Sequence, residues 1–150
     1  MRFHPNGKWA YCWNELSSAI DVLAWDSRSG TLTSLQHLDT LPKDYHGESA
    51  ASEIVIDHTG RFAYAAVRFW DKIVAFSIDP ATGKLSPIGT TSCGGKVTRH
   101  MTLDPTERWL LVANETSDNI AVIQRDAKTG KLAETGSSFP LVKPQCLVFA

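Results

Sequence analysis

Apolar and polar residues alternate along the chain in short runs, and each run ends at turn-forming residues. In the middle of the chain, the runs rich in β-branched and aromatic residues are Glu53–Asp57, Phe62–Val67, Lys72–Ile78 and Lys84–Thr91. Runs of this length and composition, bounded by Gly, Pro, Asp and Thr, predict β-strands. No run combines a helical apolar period with helix caps, so the pattern predicts an all-β fold.

The same four-strand pattern occurs three times. The positions that recur in register are Trp9, Phe62 and Trp109; Lys8, Arg61 and Arg108; Ile20, Ile73 and Ile120; and Gly30, Gly83 and Gly130. The glycines recur after 53 and then 47 residues, which is close to the length of roughly 40–50 residues of a four-stranded propeller blade. A sandwich or a small barrel would explain the short strands but not a repeat with fixed positions.

The repeat therefore predicts a partial β-propeller, with about three four-stranded blades in a single domain. The blade repeats are approximately residues 1–51, 52–98 and 99–143, and residues 144–150 match the start of another blade. Three blades do not close a ring, and ring closure is what hides the sheet edges of a propeller. We therefore expect a truncated chain whose exposed blade faces favour self-association.

Composition argues against several classes of function. The formal net charge is −1, so there is no electrostatic case for a nucleic acid or an anionic membrane as a partner. The three cysteines are far apart and no secretion signal precedes the first blade, so we expect a cytoplasmic protein. No His, Cys, Asp or Glu group has metal-ligand spacing, and no glycine-rich phosphate loop follows a strand, so we expect neither a metal nor another cofactor.

Several motifs, in this order, resemble the lactonase family of seven-bladed β-propellers. They are Asn14-Glu15-Leu16, Ala51-Ser52-Glu53-Ile54, Asp79-Pro80-Ala81-Thr82-Gly83-Lys84-Leu85, Arg99-His100 and Val112-Ala113-Asn114. The resemblance runs the whole length of the chain and corresponds to the C-terminal part of a family member. It implies a seven-bladed ring that hydrolyses a sugar lactone without a cofactor, as in the propeller-type 6-phosphogluconolactonases. A 3-carboxy-cis,cis-muconate lactonising enzyme (a cycloisomerase of the same family) and a non-catalytic binding propeller are the alternatives.

Propeller topology selects the face on which a site is expected. Successive strands of a blade run in opposite directions, so the loops between second and third strands share a face with the loops that lead into the next blade. The first residues of each innermost strand lie on that face too, at a funnel around the central channel. The predicted catalytic residues on this funnel are Glu15, Glu53, Arg68 and Arg99, and the predicted substrate-binding residues are Asn14, His100 and Asn114.

These residue types suit lactone hydrolysis. A carboxylate can deprotonate the attacking water, and an arginine can bind an anionic group or stabilise the developing oxyanion. The expected ligand is therefore a small anionic lactone or a sugar phosphate. Glu15 and Arg68 could instead form only an ion pair between blades, and His100 could be a structural channel residue. Because the upstream blades of the family are absent, we expect the isolated chain to be inactive.

Overall fold

The computed structural model describes residues 1–149, and these form three four-stranded antiparallel sheets without a helix. The twelve strands are β1 (Arg2–Phe3), β2 (Trp9–Asn14), β3 (Ala19–Asp26), β4 (Thr31–Asp39), β5 (Ala50–Ile56), β6 (Phe62–Arg68), β7 (Lys72–Ile78), β8 (Leu85–Ser92), β9 (Thr98–Leu103), β10 (Trp109–Asn114), β11 (Asn119–Arg125) and β12 (Leu132–Pro140). Each sheet follows chain order, so β1–β4, β5–β8 and β9–β12 are blades 1, 2 and 3. The predicted all-β, three-blade architecture is confirmed. Within residues 1–149 no helix is long and apolar enough to cross a membrane.

The turns opposite the funnel are held by aspartate side chains. Asp57 follows β5, and its Oδ1 accepts hydrogen bonds from the backbone N–H groups of Arg61 (2.8 Å) and Phe62 (2.9 Å). Asp104 accepts the equivalent bond from Trp109 at 2.8 Å. Asp79 accepts bonds from the backbone of its own turn before β8. These aspartates keep the hairpins in register, because they satisfy N–H groups that the strand ladders leave unpaired.

Adjacent blades meet through an aromatic residue that packs on a glycine. In the first junction, between blades 1 and 2, the Trp9 ring covers Gly83 in the β7–β8 turn. In the second junction, between blades 2 and 3, Phe62 covers Gly130 in the same way. Both glycines have positive φ values, +73° for Gly83 and +71° for Gly130. A side chain at either position would occupy the space of the ring, so the turn requires glycine.

Tyrosines on the same strands strengthen both junctions. The hydroxyl of Tyr11 donates a hydrogen bond to the Gly83 carbonyl at 2.9 Å, and the hydroxyl of Tyr64 donates to the Gly130 carbonyl at 3.0 Å. Both side chains are fully buried. The apolar core therefore lies between the sheets, as two clusters of strand residues, one at each junction.

The two junctions differ at the turn end. At the second junction Arg125 is buried, and its Nη2 pairs with the fully buried Asp57 at 2.7 Å. Its Nε donates to the Tyr64 hydroxyl at 2.8 Å and its Nη1 to the Glu107 carbonyl at 2.9 Å. At the first junction the aligned residue is Ile78, which joins the apolar cluster. Asp57 therefore serves both its own turn, through Oδ1, and this ion pair between blades, through Oδ2.

The innermost strands lie side by side around the channel, with β5 next to both β1 and β9. Residues 141–149 contain no strand. The innermost strand predicted to begin at residue 144 is therefore not formed in the described residues, because no second strand of its own blade is present among residues 1–149 to pair with it. Ala150 lies outside the described residues.

Candidate functional site

The funnel face brings together the loops that the topology predicted. The backbone N–H of Ala51, at the start of β5, donates to the Glu15 carbonyl at 2.9 Å. In blade 3 the N–H of Glu115 donates to the Val97 carbonyl at 3.0 Å. The loops after β2 and β10 are thus tied directly to the segments that begin β5 and β9. Side chains on these loops are held at the funnel by backbone bonds on a rigid scaffold.

Each loop between the second and third strands closes on a residue with a positive φ. These residues are Ser18 (50°), Asp71 (54°) and Asp118 (50°), at equivalent repeat positions. Their carbonyls each accept a hydrogen bond from the segment that leads out of the blade: from the Thr40 hydroxyl at 2.5 Å, the Cys93 N–H at 3.0 Å and the Leu141 N–H at 3.0 Å. The three funnel loops therefore share one anchoring device.

Glu15 and Arg68 form an ion pair across the first junction. The guanidinium also donates from Nη2 to the Ala51 carbonyl at 3.3 Å, while its buried Nε has no hydrogen-bond partner among the described residues. The side chain of Arg68 is 11% exposed, whereas that of Glu15 is 65% exposed. The inter-blade pair considered from the sequence is present, and its carboxylate side faces water.

Glu53 connects three blades along the channel wall. Its Oε2 lies 3.3 Å from His100 Nε2, and its Oε1 lies 3.3 Å from Arg2 Nη2. His100 Nδ1 accepts a hydrogen bond from the Leu147 N–H at 3.3 Å, so Nε2 is the ring nitrogen on the side of the Glu53 carboxylate. The Glu53 and His100 side chains are 18% and 16% exposed. This carboxylate–imidazole pair is oriented from both sides.

Arg2 is the channel residue that the sequence reading missed. It lies on β1, the innermost strand of blade 1, and its side chain is half exposed. The available signal was its position three residues before Pro5 in the first repeat, on the same innermost strand of a blade as Glu53 and His100. Because β1 has only two residues, its charge pattern was too short to be read as a strand face.

Arg99 is the more accessible of the two predicted arginines. Its Nε lies 3.7 Å from Glu115 Oε2, and the two side chains are 39% and 32% exposed. This separation is longer than a direct hydrogen bond, so the pair is loose. Replacing Glu115 by an anionic ligand at Arg99 therefore costs less free energy than replacing Glu15 at Arg68.

The two predicted asparagines have different surroundings. Asn14 is partly buried and donates from Nδ2 to Asp21 at 2.7 Å. His37 lies 2.7 Å from the other Asp21 oxygen, and these hydrogen bonds, with His37 contributing most, lower the pKa of Asp21. The same pair raises the pKa of His37. Asn14 thus belongs to a polar cluster beside the funnel.

Asn114 is fully buried and is not brought to the funnel surface. Its Oδ1 accepts from the Thr98 hydroxyl at 2.8 Å, and its Nδ2 donates to the Cys93 carbonyl at 3.0 Å. The loop between β8 and β9 covers it. In this arrangement Asn114 supports the loop that precedes Arg99 and does not face a ligand.

No cluster of three or more His, Cys, Asp or Glu side chains suited to a metal ion occurs in residues 1–149.

Comparison with known proteins supports the same fold. The family model described as "Lactonase, 7-bladed beta-propeller" matches residues 1–149. The chain is 37% identical over 148 residues to an uncharacterised protein of Lactococcus lactis, covering 99% of this chain and 43% of that protein. It is 33% identical over 149 residues to a 6-phosphogluconolactonase of Bacillus subtilis, again covering 99% and 43%.

A solved structure extends this likeness to three dimensions. The chain superposes on the periplasmic gluconolactonase PpgL of Pseudomonas aeruginosa with a TM-score of 0.92 at 32% identity, covering 97% of this chain and 40% of that one. The chain therefore spans about two fifths of the length of these relatives. Because the family model matches the chain over residues 1–149, the chain belongs to the lactonase family of seven-bladed β-propellers.

Proposed function

We propose that this chain supplies part of the funnel of a lactonase that hydrolyses a small anionic sugar lactone, with 6-phosphogluconolactone as the test substrate. The observation that carries the proposal is the exposed carboxylate of Glu15, held beside the buried guanidinium of Arg68 on the funnel. A fixed carboxylate that meets both water and a cation suits the activation of a nucleophilic water. The names of relatives such as the Bacillus subtilis protein support a lactonase over a lactonising enzyme.

Hydrolysis requires water to attack the acyl carbon and the ring C–O bond to break. In our proposal Glu15 takes a proton from the attacking water, and the positive charge of Arg68 lies beside the developing oxyanion. The protonated Glu15 then returns this proton to the ring oxygen as the C–O bond breaks, while Glu53 and His100 line the channel wall beside the substrate. The products are a carboxylate, a free hydroxyl and a proton released to water, and no atom changes its oxidation state.

Substrate binding is assigned to the accessible cations. Arg99 is loosely paired with Glu115, and Arg2 is half exposed on the channel wall. A guanidinium can bind a phosphate or a carboxylate through two parallel hydrogen bonds. We therefore propose that Arg99, with Arg2 on the channel side, binds the anionic group of the substrate.

We propose a cytoplasmic location. Three free cysteines, Cys12, Cys93 and Cys146, support a reducing compartment. The relative from Pseudomonas aeruginosa is named as periplasmic, so relatives of this chain occur outside the cytoplasm as well. Fractionation of the native host with an antibody against this chain distinguishes the two compartments.

The test of the lactonase proposal is a chimera in which residues 1–149 replace the matching segment of the Bacillus subtilis 6-phosphogluconolactonase. We expect the chimera to hydrolyse 6-phosphogluconolactone faster than the spontaneous reaction, and the 150-residue chain alone to show no turnover. Glu15→Gln should lower kcat by about 10²–10⁴-fold, the range for removal of a general base. Arg99→Ala should mainly raise KM.

Glu134→Gln is the matched control, because Glu134 is exposed on the outer strand β12, away from the funnel. It should leave kcat unchanged. Full activity of the Glu15→Gln chimera, or a folded chimera without hydrolysis, contradicts the proposal.

A further inference from the structure

Arg99, the cation assigned to the anionic group of the substrate, lies next to two backbone irregularities. The register of β9 against β10 shifts at this point, so Arg99 is the extra residue of a β-bulge between Thr98 and His100. Bulges of this kind commonly redirect a side chain beside a functional site. Two residues before Arg99, Val97 has φ at +56°. A positive φ is unfavourable for a β-branched residue, so other groups must hold Val97 in this conformation.

Asp71 makes the contacts that hold this segment. Its Oδ1 accepts a hydrogen bond from the Val97 N–H at 2.9 Å, and its Oδ2 lies 3.0 Å from Lys96 Nζ. The Asp71 side chain is 9% exposed, so both contacts are largely shielded from water. Its carbonyl accepts the Cys93 N–H at 3.0 Å. Asp71 therefore fixes the connection between blades 2 and 3 at its beginning and at its end.

Blade 3 repeats this arrangement. Asp118 occupies the position of Asp71 in the repeat, which we call the anchoring position, and its Oδ1 accepts the Lys143 N–H at 2.9 Å. Lys143 aligns with Val97 and also has a positive φ, at 44°. An aspartate at the anchoring position thus occurs twice together with a left-handed residue in the segment that leaves the blade.

Blade 1 has no carboxylate at the anchoring position. Ser18 stands there, and its hydroxyl bonds to the Ser49 hydroxyl at 3.2 Å. Ala50, which aligns with Val97, is already part of the extended strand β5. The left-handed conformation therefore accompanies the aspartate and is replaced by extended strand where the anchoring residue is serine.

We propose that Asp71 is a positioning residue for substrate binding. By holding the left-handed backbone at Val97, its carboxylate sets the direction in which Arg99 meets the anionic group of the substrate. This inference rests on the lactonase function proposed above. Without the carboxylate, Val97 relaxes toward the extended conformation that Ala50 has in blade 1, and Arg99 moves away from its ligand. The carboxylate and guanidinium of the first junction keep their places, because other contacts hold them.

The test compares Asp71→Ser with Asp71→Asn in the chimera described under the proposed function. Serine is the residue that blade 1 has at the anchoring position, whereas asparagine keeps an oxygen that can accept the Val97 N–H. We expect Asp71→Ser to raise KM for 6-phosphogluconolactone by about 10- to 100-fold, the effect of a small misplacement of a binding group, with kcat nearly unchanged. Asp71→Asn should keep KM close to that of the unmodified chimera.

Two controls separate the hydrogen bond from charge and from stability. Lys96→Met removes the cation beside Asp71 but leaves the hydrogen bond to Val97, so KM should not change. Asp79→Ala removes an aspartate that accepts backbone N–H groups in a turn of the same blade, on the face opposite the funnel, and should not change KM either. A rise in KM for Lys96→Met as large as that for Asp71→Ser would assign the effect to the ion pair and overturn the proposal.

Hydrogen exchange tests the positioning without turnover. In the 150-residue chain and in the chimera, the amides of residues 93–100 should exchange faster in Asp71→Ser than in the unmodified protein, while Asp71→Asn should resemble the unmodified protein. Circular dichroism must show the same β-sheet spectrum for all variants. Unchanged exchange in a folded Asp71→Ser variant overturns the proposal.

Product binding distinguishes this proposal from the lactonase proposal. The dissociation constant of 6-phosphogluconate, measured by calorimetry with the chimera, should rise in Asp71→Ser by the same factor as KM and remain unchanged in Asp71→Asn. A chimera that binds the product without hydrolysing the lactone contradicts the lactonase proposal alone, and the dissociation constants then decide the role of Asp71. A folded chimera that binds no product overturns both.

Discussion

Both junctions contain an arginine with a buried side chain paired with a carboxylate, but the two pairs lie at opposite ends of the blades. At the first junction Arg68 pairs with Glu15 on the funnel, and the carboxylate is largely exposed. At the second junction Arg125 pairs with Asp57 at the turn end, where Asp57 has no exposed surface. The apolar packing between the pairs is nearly the same. An arginine–carboxylate pair can therefore belong to a functional site where its carboxylate contacts water, or stabilise the fold where both side chains are buried.

The largest expected effect comes from breaking the buried pair. Arg125→Met leaves the Asp57 carboxylate buried without its cation, and we expect a loss of about 3–5 kcal/mol in the free energy of unfolding. Asp57→Asn combined with Arg125→Met should recover most of that loss, because no isolated charge remains. Urea unfolding at low protein concentration measures both. A single variant that loses less than about 1 kcal/mol would show that the second junction does not depend on this pair.

The next largest effect on the free energy of unfolding is expected at Gly83, the glycine of the first junction. Gly83→Ala and Gly30→Ala carry the same backbone penalty, since both residues have positive φ values. At Gly83 the new methyl group also meets the Trp9 ring, while at Gly30 it meets open space. We therefore expect Gly83→Ala to lower the free energy of unfolding by about 1–3 kcal/mol more than Gly30→Ala, the usual cost of overpacking. Equal losses would mean that the ring moves aside freely.

The tyrosine hydroxyls give a smaller difference. Tyr11 makes one hydrogen bond, to Gly83, whereas Tyr64 also accepts a bond from the buried Arg125. Tyr11→Phe should cost about 1 kcal/mol, and Tyr64→Phe about 1–3 kcal/mol, because it leaves a buried charged donor unsatisfied. Thermal unfolding of the two variants side by side tests the order. The reverse order would contradict the assigned hydrogen bonds.

The smallest effect on stability is expected at the funnel pair. Arg68→Met keeps much of the buried stem and leaves Glu15 in contact with water, so we expect a loss of about 1 kcal/mol or less. In the chimera, the same change should lower kcat/KM strongly if Arg68 acts at the site. Glu134→Gln again serves as the control. An unchanged kcat/KM would assign Arg68 to the junction alone.

The repeat made most of the fold predictable, because aligned positions in three blades reinforce one another. The predicted strands Phe62–Val67 and Lys72–Ile78 agree with β6 and β7 to within one residue. The start of β5 was placed three residues late, at Glu53, since Ala50 pairs with Arg68 through the backbone and carries no side-chain signal. Funnel residues could be placed on one face because topology alone fixes that face.

Partners of individual side chains were beyond the reach of the sequence. Arg125 occupies a position where the other blades have Trp25 and Ile78, and its partners come from three separate segments. The one sign of this role in the sequence was a charged residue at a repeat position that is apolar in the other two blades. Asn14 and Asn114 occupy the same position of the repeat, yet only Asn114 is covered by a preceding loop. The position of a residue in the repeat therefore does not determine its exposure to solvent.

The hydrogen bonds accepted by the carbonyls of Ser18, Asp71 and Asp118 fix the funnel loops independently of the side chains that these loops carry. On the loop side each anchor is a backbone carbonyl, so the residues between the second strand and the anchor can be exchanged while the anchoring hydrogen bond is kept. The present loops already illustrate this freedom, with Glu-Leu-Ser, Phe-Trp and Glu-Thr-Ser in the three blades. A propeller of this kind can acquire a new ligand preference one loop at a time, while its blades stay in place.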